Sequence, residues 1–415
     1  MDETSVGTGG LVPPPPEKLV GLDSVRAWKV AVVAAVTNGV AFGTIYTFGT
    51  FFEAMADEFD SGLGPTSLVF GITLFLFFGA GAGSGFLADR YGPRPLVWVG
   101  GLMFSGGLFL TSRVDVLWHG YLTYGLGAGL GGGLFIAPLF AAVAGWFDRY
   151  RAIAQGVAAT GNGLGTLILV PLANHLIERN GWRQTYVVLA VVCAVTFGLG
   201  GLLVERPPVG RPLRAGRHLR AVMATASFRR LAIGSAMASA CQSSAFVFTV
   251  LFATDAGISS ARAALLVGLI GASSIVGRLF LTGLSGRVGP VRMLQACFFG
   301  QPVAFAVLLV AGANYALLVT YAILLGVAYG GYVALMGEVS AHLFGVRGLA
   351  VVLGWVYLAA AVGSLTFPVL VAYLADATTT NTVPIAAVVA VAAAGSVFLL
   401  RLRPDPIAAA ELERN

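Results

Sequence analysis

Gly85-Phe86-Leu87-Ala88-Asp89-Arg90-Tyr91-Gly92-Pro93-Arg94-Pro95 lies between two long apolar runs, and a shorter echo, Gly286-Arg287-Val288-Gly289-Pro290, follows 197 residues after its Asp89–Pro93 core. An acid and two cations around a Gly-Pro turn are costly to bury in hydrocarbon, so each stretch reads as a polar hinge between membrane-crossing segments. The same offset carries Phe147 to Phe344 and Pro171 to Pro368. A repeat of about half the chain, built from apolar segments, is the layout of a carrier whose substrate sits near mid-bilayer between its two halves.

A bilayer core needs about 20 apolar residues per helix. Working outward from the hinges, such runs fall at 29–52, 67–88, 95–112, 117–145, 152–174, 184–204, 231–253, 263–284, 292–311, 316–340, 349–374 and 383–401. The expected architecture is an all-α polytopic membrane protein with twelve transmembrane helices in two six-helix halves. A disordered tail (1–28) precedes the first half (29–204). A basic linker (205–230) joins it to the second half (231–401), and a short tail (402–415) closes the chain.

Composition supports this. Of 415 residues, 57% are hydrophobic and 11% charged, and mean hydropathy is +0.85. Soluble domains carry about 25% charged residues, so a soluble enzyme is excluded. Cys193, Cys241 and Cys297 each stand alone in an apolar run, which excludes a disulfide scaffold and gives no metal spacing. The N-terminus has neither a basic leader nor a short apolar core, so no cleaved signal peptide is expected; Val12–Lys18 reads as polyproline-like.

The net charge of +6 has a topological reading. Twenty of the 25 Lys and Arg fall in the tails and in the loops after even-numbered spans. Basic loops stay cytoplasmic, so both termini are placed there, in a multi-pass protein of the cell membrane. The linker's seven arginines read as topology signal and lipid-headgroup contact, and nothing supports a nucleic-acid partner. Glycine runs such as 125–133 lie inside an apolar span and lack a phosphate-loop Lys-Ser/Thr pair, so they read as close helix packing. No ATP site, metal site, catalytic triad or cofactor is expected.

The Gly85–Pro95 loop resembles the signature of the Major Facilitator Superfamily between spans 2 and 3. Four stretches are similar to the monocarboxylate porters and the related oxalate/formate exchangers. They are Pro13–Pro16 before span 1; Asn38-Gly39 with Phe48-Gly49-Thr50-Phe51-Phe52; Tyr121-Leu122-Thr123-Tyr124-Gly125 with Trp146-Phe147, Arg151–Gly156 and Gly181-Trp182-Arg183; and Gly257–Ala264 leading to Gly277-Arg278. The resemblance covers spans 1 to 8, and spans 9 to 12 fit more loosely. It departs at two positions. Tyr46 stands where many members have a lysine, and Ser274 where many have an aspartate one turn before the arginine.

Arg278 is the sharpest signal. It has no charged neighbour within eight residues on either side, and a charge at helix centre costs about 2.5–3.5 kcal/mol on the insertion scale. The resemblance gives this position the grip on a substrate carboxylate, and a guanidinium offers a planar fork for one. Tyr121, Tyr329, Tyr46, Tyr332 and Asn162 are the further candidate substrate contacts; Tyr329, Tyr332, Asn162 and also Asn38 suit bonding between helices as well. Asp255, ending span 7, is the candidate proton-coupling acid, with a plain helix-end role as the alternative. Glu338 and His119 read as helix-end residues. Asp89, Arg90, Arg94 and Arg287 form a candidate gate whose ion pairs make and break.

The resulting expectation is a secondary transporter of small monocarboxylates such as lactate or pyruvate, coupled to protons and working as a monomer, with an accessory subunit left open. The alternative is an organic-anion exchanger or exporter. The exchangers pair the span-8 arginine with a lysine in span 11, and 349–374 holds no Lys or Arg.

Overall fold

The structure, a computed structural model, describes residues 22–207, 222–344, 349–378 and 380–402. Most of the 1–28 tail, most of the 205–230 linker and nearly all of the 402–415 tail lie outside the described residues. Of Asp89 only the backbone is described.

All regular structure in the described residues is helical, as hydrocarbon requires of chains that must bond their own backbone groups. Ten helices are long and apolar enough to cross a membrane. One of these, Ile153–Leu203, breaks at Gly181 (φ 79°) and provides two spans; Pro93–Thr111, 19 residues long, adds another. The spans are α1 (Val25–Glu58), α2 (Leu63–Tyr91), α3 (Pro93–Thr111), α4 (Leu117–Trp146), α5 (151–180) and α6 (182–203). They continue as α7 (Ala226–Asp255), α8 (Ser260–Val288), α9 (Pro290–Ala311), α10 (Tyr315–Phe344), α11 (Leu349–Ala377) and α12 (Thr382–Leu399).

The two hinges that open the sequence argument share one backbone form. Gly92 (φ 84°) and Gly289 (φ 96°) each end one helix in a conformation side chains avoid, and Pro93 and Pro290 start the next. Several helices outrun their apolar stretch by a turn or more: α1 reaches Glu58 rather than residue 52, and α2 spans Leu63–Tyr91 rather than 67–88. Hydrophobicity marks the hydrocarbon, while backbone bonding carries a helix on into the headgroup layer. Within α4, Tyr121–Leu130 winds as a π-helix, which apolar length alone does not reveal.

Glycines set how closely the helices cross. A Cβ on Gly161 would collide with the Ala35 carbonyl, and one on Gly165 with the Gly39 carbonyl, so α1 and α5 touch backbone to backbone. Gly277, Gly326 and Gly330 give the same contact between α8 and α10.

The first six helices meet the last six along α2–α11, α5–α8 and α1–α7. On the side away from the basic loops this seam is closed. The Asp376 carboxylate accepts the amides of Leu63 (3.0 Å) and Gly64 (3.0 Å), Ser260 donates to Glu178, and Gly49 lies under the Phe246 carbonyl. On the basic-loop side, Gly83, Gly85, Gly156, Gly283 and Gly286 face open space.

Candidate functional site

α8 carries Arg278 inward, 5% exposed. Its Nη1 donates to the backbone carbonyl of Ala159 on α5. Its Nε and Nη2, which form one edge of the guanidinium, have no hydrogen-bond partner among the described residues. Tyr329 on α10 places its ring centroid 5.8 Å from the guanidinium carbon, within cation–π range. The Arg183–Glu58 ion pair lies elsewhere. A buried cation with one two-donor edge left open is complementary to a carboxylate.

The aromatic wall follows from helix phase. Tyr46 on α1 and Tyr329 on α10 bring their hydroxyls to 3.4 Å, and Phe246 of α7 stacks on Tyr46 at 3.8 Å between centroids. Phe246 also meets Tyr329 edge-on at 5.7 Å. Arg278 interacts electrostatically with Tyr46 and with Tyr357 on α11. Thus Arg278, Tyr46 and Tyr329 come together as one cluster. Phe246 and Tyr357 belong with them although sequence reasoning passed over both.

Buried amides stand on three of the helices that carry this cluster or pack beside it. Asn162 on α5 is three residues from Ala159, and its Oδ1 has no partner; on α1 both amide atoms of Asn38 are unpartnered; on α7 the Nε2 of Gln242 is unpartnered. Gln242 was also missed. Its signal was there, an amide in mid-span within the polar run Ser239–Ser244.

Other candidates lie apart from Arg278. Tyr332 packs edge-on against Phe298 of α9, in a core cluster separate from that of Tyr329. Tyr121 stands at the closed side, where its hydroxyl donates to the Pro65 carbonyl at 3.0 Å. Ser274 donates to the Gly271 carbonyl of its own helix at 2.6 Å, and its backbone carbonyl lies against Gly330. Asp255 is exposed and accepts from Asn381 Nδ2 at 2.8 Å. Beside it in the seam is Glu53, half-buried, close enough to Asp255 and Asp57 for mutual repulsion, and receiving the Thr254 hydroxyl at 3.5 Å.

At the basic-loop side Arg90 sits over Tyr91 (5.2 Å) and Arg94 over Trp98 (5.0 Å), and Arg287 is exposed. Glu338 accepts the Ser285 hydroxyl at 3.0 Å, joining α10 to α8. His119 packs against Trp118. The Gly181-Trp182-Arg183 motif is a fastening: Trp182 and Arg183 both donate to Glu58, and Arg183 also reaches the Val114 carbonyl at 2.7 Å.

The chain matches the Major Facilitator Superfamily over residues 34–313. It is 30% identical to human monocarboxylate transporter 11 over 369 residues, covering 86% of this chain and 78% of that protein. It is 31% identical to rat monocarboxylate transporter 3 over 377 residues, covering 86% and 75%. Among solved structures it resembles a nucleoside transporter with a TM-score of 0.73 at 12% identity, covering 91% of this chain and 99% of that one. It also resembles an inward-facing, unoccupied bacterial homologue of the human lysosomal transporter Spinster, with a TM-score of 0.67 at 16% identity, covering 93% and 96%. These two show the fold alone. From its signature loop, its helices and its relatives, the chain is a multi-pass membrane transporter, not an enzyme, and belongs to the monocarboxylate porter family of the Major Facilitator Superfamily.

Proposed function

We propose that the protein carries small monocarboxylates of the lactate and pyruvate type across the cell membrane by alternating access, with both termini on the cytoplasmic side. The two six-helix groups act as the moving halves, and the anion lies between them. The observation that carries this reading is the open Nε/Nη2 edge of Arg278, buried beneath Tyr329 and held in place through Nη1. One deep cation neutralises one carboxylate, so monoanions are favoured over dianions. Tyr46, stacked on Phe246, roofs the anion on the closed side. Arg90, Arg94 and Arg287, with Asp89, guard the opposite mouth.

Coupling to a proton is part of the proposal. Asp255 is its acid from sequence, and Glu53 stands beside it in the seam between α1 and α7. Two nearby carboxylates repel when both are ionised, and one proton relieves that repulsion. The seam must open for the closed side to admit substrate, so protonation there is tied to the transport movement. Tyr121 lies in the same outer region, where it borders the entry path.

A second reading, proton-independent exchange of organic anions, is favoured by Ser274, which offers Arg278 no carboxylate and bonds its own helix instead. Uptake of labelled lactate by proteoliposomes, with and without an inward proton gradient, decides between them. Gradient-stimulated uptake supports symport. Uptake that requires internal anion and ignores the gradient supports exchange. No uptake of lactate or pyruvate in either setting overturns both.

A further inference from the structure

Three buried amides, Asn38, Asn162 and Gln242, share two unexplained properties. Each has at least one buried polar atom without a partner among the described residues, and helix phase turns each towards the interior of the site. Asn38 is fully buried and Asn162 and Gln242 are each 6% exposed. Burying an amide without a hydrogen bond costs about 1–3 kcal/mol by mutational measures, so three such amides on the helices of one site call for a ligand.

Their placement follows from the helices. On α1, Asn38 is two residues from Val36, about 200° around the helix, and Val36 is 54% exposed on the lipid side. Asn38 precedes Phe42 and Tyr46 by four and eight residues, on the stripe that ends at the Tyr329 contact. On α5, Asn162 is about 200° from Leu164, also lipid-facing at 48% exposure. Gly39 abuts the Gly161 carbonyl, which puts Asn38 and Asn162 level, and Asn162 is within one turn of the carbonyl that holds Arg278. On α7, Gln242 lies one turn from Phe246, the ring stacked on Tyr46.

We propose that Gln242, Asn162 and Asn38 form a second pole of the site that reads the oxygen on carbon 2 of the transported anion. This rests on the reading of Arg278 as the carboxylate grip. Gln242 Nε2 is a donor, Asn162 Oδ1 is an acceptor, and Asn38 offers one of each. Together they satisfy a carbonyl, which only accepts, and a hydroxyl, which also donates. A plain fatty acid of the same length leaves all of them unsatisfied. The pole therefore selects 2-oxo and 2-hydroxy acids over propionate.

The test is the ratio of pyruvate to propionate affinity in proteoliposomes. Gln242→Met keeps side-chain length and removes the donor, and Asn162→Leu removes the acceptor without adding charge. Each variant is expected to weaken pyruvate and lactate about ten-fold, as loss of one hydrogen bond does, while propionate stays near wild type. An equal change in pyruvate and propionate, or none in either, in both variants overturns the second pole. Failure of the Arg278 reading looks different: Arg278→Lys would then bind pyruvate and propionate as tightly as wild type does. An Asn38→Leu variant that lowers the same ratio extends the pole to α1, and a ratio unchanged in that variant removes α1 from it.

Discussion

The carboxylate of Asp376, near the end of α11, accepts the amides of Leu63 and Gly64 at the start of α2. An anion on the first turn of a helix satisfies free N–H groups and meets the positive end of its dipole. Because α2 and α11 belong to different six-helix groups, this cap holds the closed side shut. Asp376→Ala should shift the protein towards opening there. A cysteine introduced at Thr254, beside the same seam, should then react two- to ten-fold faster with a membrane-impermeant maleimide applied from that side. Equal rates would show that the cap contributes nothing to closure.

Arg278→Lys tests the carboxylate grip. Lysine keeps the charge and loses the planar edge, and inserts at a similar cost. Removing a charge-assisted bond costs about 1.5–3 kcal/mol, or roughly 10- to 150-fold in affinity. Lactate and pyruvate affinity should fall by that factor in protein that still elutes as wild type does. Near-normal affinity would make the arginine structural.

The acids of the seam are separable. Glu53→Gln and Asp255→Asn should each weaken gradient-driven accumulation and leave anion exchange across the membrane largely intact. Glu53 should matter more, because it is half-buried whereas Asp255 is exposed and tied to Asn381. Accumulation equal to wild type in both variants would place the coupling acid elsewhere.

Asp23 gives a pH prediction outside the membrane. Partial desolvation raises its carboxyl, but hydrogen bonds from the backbone N–H groups of Arg149, Tyr150 and Asp148 outweigh it and hold the group below the usual carboxylate range. A depressed folded value means that the contact stabilises above the unfolded carboxylate value and is lost as pH falls through the folded one. Asp23→Ala should therefore lower the thermal midpoint in detergent at neutral pH. The gap to wild type should narrow on acidification below the ordinary carboxylate range, leaving only the pH-independent strain of alanine at the positive φ of Asp23 (55°). A gap that does not depend on pH would refute the assignment.

Much of this was legible in the chain. Twelve apolar runs and two Gly-Pro hinges gave the fold, and one isolated guanidinium gave the centre of the proposed site, because hydrocarbon penalises polar atoms one residue at a time. The missing parts are those that no single position announces. Tyr329 and Tyr332 are near neighbours on one helix, yet only Tyr329 reaches Arg278, since facing helices rather than spacing decide which side meets the cavity. Tyr121 carries a family resemblance, but its depth at the closed side depends on where α2 begins. Gln242 and Glu53 went unread for the opposite reason. One is a polar residue among serines and the other an acid just past an apolar run, and only the neighbouring helices suggest a role for either.

The glycine crossings bear on how a passenger would leave. Backbone contact fuses α1 with α5 and α8 with α10 into two stiff beams. Arg278 and Tyr329 ride on one beam; Tyr46, Asn38, Asn162 and the Ala159 carbonyl ride on the other. Distances within a beam persist as the halves rock, while distances between beams do not. On the proposed reading, departure is sequential: the anion parts first from the α1–α5 amides and last from the guanidinium. Off-rates for a series of acids should then be ranked by carboxylate basicity more than by the rest of the molecule.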